Sequence, residues 1–261
     1  VTAFNSDGFS LGTDTGANGS GTWVAWTWDG GSTTATNNNG SIQSTVRANQ
    51  SAGFSIVTWS GSSANATIGH GLNAAPEFMI LKRRDSGSLG MYAYHSAVSP
   101  AKTLYLYGTT YAETYAAAYN NTAPTNSVFS VGSAAATNSG NMLAYCFAPV
   151  AGYSAFGSYT GNGSSDGTFV YTGFRVAWLM TKRTDTAENW EVRDSTRNPH
   201  NRTNLTLFPH TSGAEDSGSV DFDLLSNGFK LRNTNGSTNA SGGTYIYMAF
   251  AERPFKTARA R

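Results

Sequence analysis

At 261 residues with a formal net charge of +1, the chain lacks the electrostatic footprint of a nucleic-acid binder. Charged residues make up only 13% while Gly, Ser, Thr, Asn and aromatics abound, which excludes a helical protein and predicts an all-β one. No apolar run reaches membrane-span length, which predicts no membrane insertion, and one cysteine, Cys146, excludes an intrachain disulfide.

In chain order, residues 1–28 read as an ending placed at the start. Phe9-Ser10-Leu11-Gly12 is followed by Asn18-Gly19-Ser20-Gly21 and then "TWVAWTW". The same pattern recurs as Phe129-Ser130-Val131-Gly132, Asn138-Ser139-Gly140 and "MLAYCF". A third copy is Phe229-Lys230-Leu231-Arg232, Asn239-Ala240-Ser241-Gly242 and "YIYMAF". Internal similarity of this kind defines a repeat architecture. Further matches lie about 100 residues apart: "GFSIVTWSG" with "GYSAFGSYTG", "PEFMILKRRD" with "VAWLMTKRTD", and "MYAYHS" with "WEVRDS".

These spacings predict five segments. Residues 1–28 form an orphan hairpin, the end of a partial repeat. Residues 29–50 are a Gly/Ser/Thr/Asn-rich linker, residues 51–149 a first β-sandwich repeat, residues 150–255 a second, and residues 256–261 a basic tail. Two accounts of the orphan follow: an upstream stretch completes it, or its strands add to the edge of the first repeat or of another chain. Trp23, Val24, Trp26 and Trp28 are expected to be packed, since together they would be a poor match for water.

Within the first repeat, strands are predicted near 54–59, 64–68, 77–83, 91–95, 103–107, 128–132 and 142–147. Seven short strands in about 100 residues suit an antiparallel sandwich. In "FSIVTW", Phe54 and Ile56 face one way and Val57 and Trp59 the other; "EFMILKR" reads as a strand buried on both faces. The stretch 111–120, "YAETYAAAYN", supports at most a single helical turn.

The chemistry-bearing residues form no recognisable catalytic set. His70, His95, His200 and His210 have no short-spaced ligand companions, so no metal or cofactor is predicted and His70 and His95 read as polar strand-end residues. Glu188, Glu191 and Asp194 flank Trp190, but on a strand Glu191 and Asp194 would point to opposite faces, against a glycosidase pair. Glu215, Asp216, Asp221 and Asp223 lack the spacing of a calcium loop. No Gly-x-Ser-x-Gly elbow or phosphate-binding loop occurs. Sequons such as Asn18, Asn65 and Asn235 read as turn chemistry in an Asn/Ser/Thr-rich chain. What remains is aromatic surface: rings that stack on the apolar face of a pyranose are the usual sugar-binding device of β-proteins. Trp59, Tyr92, Tyr94 and Trp190 are the candidate ligand-binding residues, with Tyr105, Tyr107 and Trp178 in the same pool.

The stretches "GFSIVTWSGSSANATIGHGLNAAPEFMILKRRD", "YCFAPVAGYSAFGSYTGNGSSDGTFVYTGFR" and "GGTYIYMAFAERPFKTARAR" resemble a repeat domain of large virion proteins in tailed phages of marine bacteria. That domain often stands behind a concanavalin-A-like (LamG-type) domain. The resemblance implies a non-enzymatic structural or adhesive module at the virion surface, on a tail or capsid fibre, made in the host bacterial cytoplasm. It implies as partners other copies of the chain, as in a homotrimer, or other virion proteins, and as ligand a host-surface polysaccharide. A capsid decoration or filament-forming protein without ligand, a polysaccharide depolymerase and a bacterial lectin-like protein remain as alternatives.

Overall fold

The computed structural model describes residues 1–6, 8–218 and 220–252, so the predicted basic tail 256–261 lies outside the described residues. The chain is all-β. The strands before the first repeat are β1 (Ala3–Asn5), β2 (Gly8–Ser10), β3 (Thr34–Asn37) and β4 (Ser44–Asn49), with a one-turn helix α1 (Thr15–Asn18) after β2. Then come β5 (Phe54–Ser62), β6 (Ala66–Gly69), β7 (Phe78–Arg83), β8 (Tyr92–His95), β9 (Lys102–Tyr105) and β10 (Glu113–Thr114). They are followed by α2 (Ala116–Tyr119), β11 (Val128–Val131), α3 (Ala135–Asn138) and β12 (Ser139–Phe147). The later half holds β13 (Ser154–Thr160), β14 (Phe169–Tyr171), β15 (Val176–Arg183), β16 (Trp190–Asp194), β17 (Phe222–Leu225) and β18 (Gly228–Leu231). It closes with α4 (Gly236–Asn239) and β19 (Thr244–Ala251).

One sheet runs β10-β9-β8-β7-β12-β5-β4-β3 and another runs β13-β19-β15-β16. Strands β5, β12, β7 and β8 follow the same order as β13, β19, β15 and β16, and every pairing is antiparallel. Register makes the correspondence residue by residue. Met142 lies opposite both Trp59 and Arg83, as Tyr245 lies opposite Tyr159 and Arg183. Arg83 pairs with Asp85 at 2.7 Å and Arg183 with Asp185 at 2.8 Å.

Three buried clusters fix how the layers stack. The first holds Val57, Trp59, Met79, Leu81, Met142, Ala144 and Cys146 of the long sheet against Ile68, Phe129 and Val131 of β6 and β11. The third holds Leu179, Tyr245, Tyr247 and Ala249 against Val170, Phe222, Leu224, Phe229 and Leu231 of β14, β17 and β18. The second draws on both halves: Phe54, Phe78, Ala93, Leu104 and Phe147 with Phe156, Trp178, Met180, Trp190, Ile246, Met248 and Phe250. Strands β7, β12, β15 and β19 therefore bury both faces, which is why "FMILKR" is a continuous apolar run rather than an alternating one. The position 149/150 divides the sequence, but the two halves share this core.

Two expectations change. Residues 29–50 are not a linker: β4 pairs with β5 and β3 with β4, extending the long sheet. Their Thr- and Asn-rich composition reads as coil, but Ser44 and Val46 alternate inward and are buried. The repeated Phe-to-Asn motif is also not a hairpin. Strand β11 pairs with β6 while β12 pairs with β5 and β7, so the chain arches from one sheet to the next through α3. Strand β18, α4 and β19 repeat that arch. At the N-terminus, β2 pairs only with β1 among the described residues, and residues 23–28 form no strand. Trp26 and Trp28 pack into the second cluster against Trp178, whereas Trp23 and Val24 are exposed.

An asparagine holds each arch. Asn138 Nδ2 donates to Gly132 O (3.1 Å) and Ala64 O (2.6 Å), and Asn239 Nδ2 to Asn233 O (2.6 Å) and Ser164 O (2.8 Å). Both side chains are buried, so each ties the arch to the turn after the first strand of its half. Asn18 Nδ2 donates to Gly12 O at 2.7 Å, the same six-residue reach, but is exposed. Replacing Asn138 strands Trp59 Nε1, which donates to Asn138 Oδ1, along with two carbonyls. Asn138→Ala is expected to cost about 2–4 kcal/mol of unfolding free energy, and Asn18→Ala less than about 0.5 kcal/mol. Urea denaturation of the two variants checks the contrast; equal losses would show that burial of the clamp does not matter.

Candidate functional site

Of the four aromatic candidates, three belong to the core. Trp190 is 1% exposed, and its Nε1 donates to Tyr105 O at 2.9 Å. Trp59 is buried against Phe129, and Tyr94 against Tyr119. A ring closed in by a second layer offers no face to a sugar, so these three are corrected to structural residues. Trp178 is likewise buried between Trp26, Trp28 and Phe250. Only Tyr92 reaches the surface, half-buried at the edge of the first cluster's layer.

Tyr92 is the centre of a tyrosine platform. Register sets Tyr92 opposite Tyr105, with ring centroids 5.3 Å apart. Tyr107 follows β9 and lies 5.9 Å from Tyr92 and 5.6 Å from Tyr105. Tyr115, just before α2, adds a fourth ring 6.3 Å from Tyr92. These edge-on and tilted spacings suit the ring quadrupoles. Tyr107 lies so close over Gly90 that a Cβ there would come within 1.9 Å of the ring, so only glycine fits beneath it. Tyr107 is 49% exposed. Burial, and then the neighbouring Tyr107, push the Tyr92 phenol well above its ordinary range; burial and then Glu113 do the same for Tyr105. Tyr92 and Tyr105 therefore keep neutral hydroxyls, able to donate and accept, throughout the neutral pH range.

The later half has no such platform. Register equates Tyr92 and Tyr94 with Glu191 and Arg193, since Leu81 faces Tyr92 as Thr181 faces Glu191. There the outer layer has three strands rather than two, and Phe222 of β17 covers the position: the Arg193 guanidinium lies 4.2 Å from that ring. Arg193 also donates to Glu191 at 2.6 Å, and both are buried. Tyr107 and Tyr105 were in the sequence pool, but Tyr115 was not. Its four-residue spacing from Tyr111 and Tyr119 pointed to a helix, of which only Ala116–Tyr119 forms.

His70 and His95 are each held by two backbone partners. His70 Nδ1 accepts from Leu72 N (3.2 Å) while Nε2 donates to Thr125 O (3.1 Å). His95 repeats the arrangement with Ala97 N (3.1 Å) and Tyr247 O (3.0 Å), bridging the two halves. Both fix one neutral tautomer, as strand-end plugs. Burial holds His70 below its usual range and His95 down at about 4. Burial pushes the Cys146 thiol up to about 12, leaving it inert. Asp194 binds Arg197 (2.7 Å) on the face away from Glu191, so the two carboxylates do not form a pair. In the acidic loop, Glu215 accepts from Arg197, Asp216 from Gly218 N (2.8 Å) and Asp221 from Arg202 (2.9 Å), and Asp223 forms an ion pair with Arg232 (3.4 Å). Among the described residues no three His, Cys, Asp or Glu converge as metal ligands, and no helix is long and apolar enough to cross a membrane.

Residues 1–254 match the model of a domain of unknown function, DUF7483, and the chain belongs to that family. No curated protein and no solved structure matches it significantly.

Because His95 is neutral when folded and takes a proton near pH 6.5 when unfolded, its contribution is complete above pH 6.5 and is lost as pH falls toward 4. The melting temperature should therefore fall from pH 7.5 to 4.5, with a shallower fall in His95→Gln. Parallel pH profiles for the two proteins would remove His95 as a cause of acid sensitivity.

Proposed function

We propose that this DUF7483 chain is a non-enzymatic structural and adhesive module of a tailed-phage virion, displayed on a tail or capsid fibre. Its two tandem sandwich repeats form a stiff body, and the Tyr92–Tyr105–Tyr107–Tyr115 platform is the surface that meets host-cell glycan. The single observation that carries the reading is this cluster of part-exposed rings on a strand-built scaffold. Pyranose C–H faces pack on such rings while phenol hydroxyls meet sugar hydroxyls, and strands hold the rings without an ordering cost on binding. The resemblance of the sequence to virion repeat domains supplies the location. The paired and scattered carboxylates described above favour adhesion over polysaccharide hydrolysis.

A second reading, an assembly subunit without ligand, is favoured by the N-terminal copy, where Phe4 is 85% and Trp23 53% exposed.

Glycan-array binding separates the two. Tyr107→Ala removes the most exposed ring of the four and should weaken carbohydrate binding roughly fivefold, about 1 kcal/mol per stacked ring. Trp59→Ala is expected to cost about 3–5 kcal/mol of stability instead. Carbohydrate binding that survives loss of both Tyr92 and Tyr107 would sink the adhesive assignment of this surface.

A further inference from the structure

We infer that the outer edge of β13 is a self-association edge, on which a second copy of this chain adds its own β13 antiparallel about a two-fold axis through Gly157. The inference is independent of the glycan reading. Strand β13 ends its sheet. Its odd residues are spent on β19: Ala251 N donates to Tyr153 O (2.8 Å) and Gly161 N to Gly243 O (2.9 Å), and this alternation continues between them. The even residues therefore turn outward. Ser154 N finds Val150 O and Thr160 O accepts from the Thr168 hydroxyl, which leaves the N–H and C=O of Phe156 and Ser158 without a partner among the described residues.

The first half shows what this edge accepts. There β5 likewise spends its odd residues on β12, with Ala148 N donating to Gly53 O and Ser63 N to Asn138 O. Its even residues Phe54, Ile56 and Thr58 pair with Asn49, Arg47 and Thr45 of β4. By register, Ile56 and Thr58 correspond to Phe156 and Ser158. The segment that supplies β4 precedes β5 directly, whereas only residues 148–153 separate β12 from β13, too few for an added hairpin. The same edge is thus paired in one half and bare in the other.

The bare edge also lacks the usual protection. Ser154–Thr160, "SAFGSYT", has no charge, no proline and no bulge in its pairing with β19. It is self-complementary: about Gly157, Phe156 of one copy falls opposite Ser158 of the other, so both sets of outward groups bond. Gly157 carries no side chain at the axis, and Tyr247 packs on it from its own chain, where a Cβ would come within 2.8 Å of the ring. A closed two-fold pairing also ends growth, unlike a head-to-tail match of β13 with the exposed edge β3.

Sedimentation equilibrium of the full chain at micromolar concentrations tests this, with Ser158→Pro as the blocking variant. Proline there removes an outward N–H only and leaves every bond to β19 intact, so the fold should persist with an unchanged far-UV spectrum. The expected result is a dimer for the parent chain and at least a tenfold higher dissociation constant for Ser158→Pro, with Thr36→Pro on β3 behaving like the parent. A monomeric parent chain, a Ser158→Pro protein that still dimerises, or a dimer dissolved by Thr36→Pro instead would each overturn the proposal. If the Ser158→Pro spectrum shows unfolding, Ser158→Lys takes its place with the same expected outcomes.

Discussion

The fold depends on the apolar layer that the two four-strand groups share. Because Phe147 and Phe78 meet Phe156, Trp190 and Phe250 across it, strands β7, β12, β15 and β19 have no wet face. Apolar burial of this extent is the main driving force available to a chain so poor in charge. Charged groups in the central layers must then find partners within the chain. Lys182 illustrates the constraint: its Nζ donates to Thr109 O (2.9 Å) in the first half and Glu188 O (2.8 Å) in the second, and burial lowers its pKa to about 8. Its counterpart Lys82 donates to Ser86 O and Leu89 O within its own half. The lysine near the end of each apolar strand is therefore a cap on loop carbonyls, and in the second half that cap also joins the two halves.

The same constraint explains where the halves diverge. Outside the shared layer, each central sheet is roofed by a smaller one, of two strands in the first half and three in the second. Where β17 extends the roof, the position below it holds a buried Glu191–Arg193 pair under Phe222. Where no such strand extends the roof, the matching positions hold tyrosines: Tyr94 is buried against Tyr119, and Tyr92 is half covered, with a ring that can face solvent on one side. A candidate binding surface has arisen at the one place where a roof strand is missing.

Much of this was legible in the sequence. The seven strands expected in the first half all form, and Phe54/Ile56 and Val57/Trp59 separate onto opposite faces as the alternation required. The offset of about 100 residues was readable because Arg83–Asp85 and Arg183–Asp185 make the same ion pair at the same register. What could not be read was which strand faces receive a second layer. An aromatic on a strand has the same local signature whether a roof covers it or not, so Trp59, Tyr94 and Trp190 looked as available as Tyr92. Segment 29–50 was misread for a related reason. Its strand character resides in two buried positions and in backbone pairing with β5, neither of which shifts local composition away from that of a turn.

The N-terminal copy separates what the motif encodes from what its surroundings add. Hairpin β1–β2 has the register of β17–β18, with Phe4 opposite Phe9 as Leu224 is opposite Phe229. Asp14 caps α1 through Gly16 N as Asn235 caps α4 through Ser237 N, and Asn18 makes the same bond to the carbonyl six residues back. All of this forms without the turn that Asn138 and Asn239 reach in their own halves, so hairpin and cap follow the local sequence, whereas no strand directly follows α1 to complete an arch. Burial does not follow the local sequence: Leu224 is covered and Phe4 is bare. The carbonyls that Asn138 and Asn239 reach, Ala64 O and Ser164 O, belong to the turns that follow β5 and β13, and Asn18 makes no such second bond within the described residues. The motif thus carries its own cap and asparagine bond, and the neighbouring strands decide whether it ends as core or as surface.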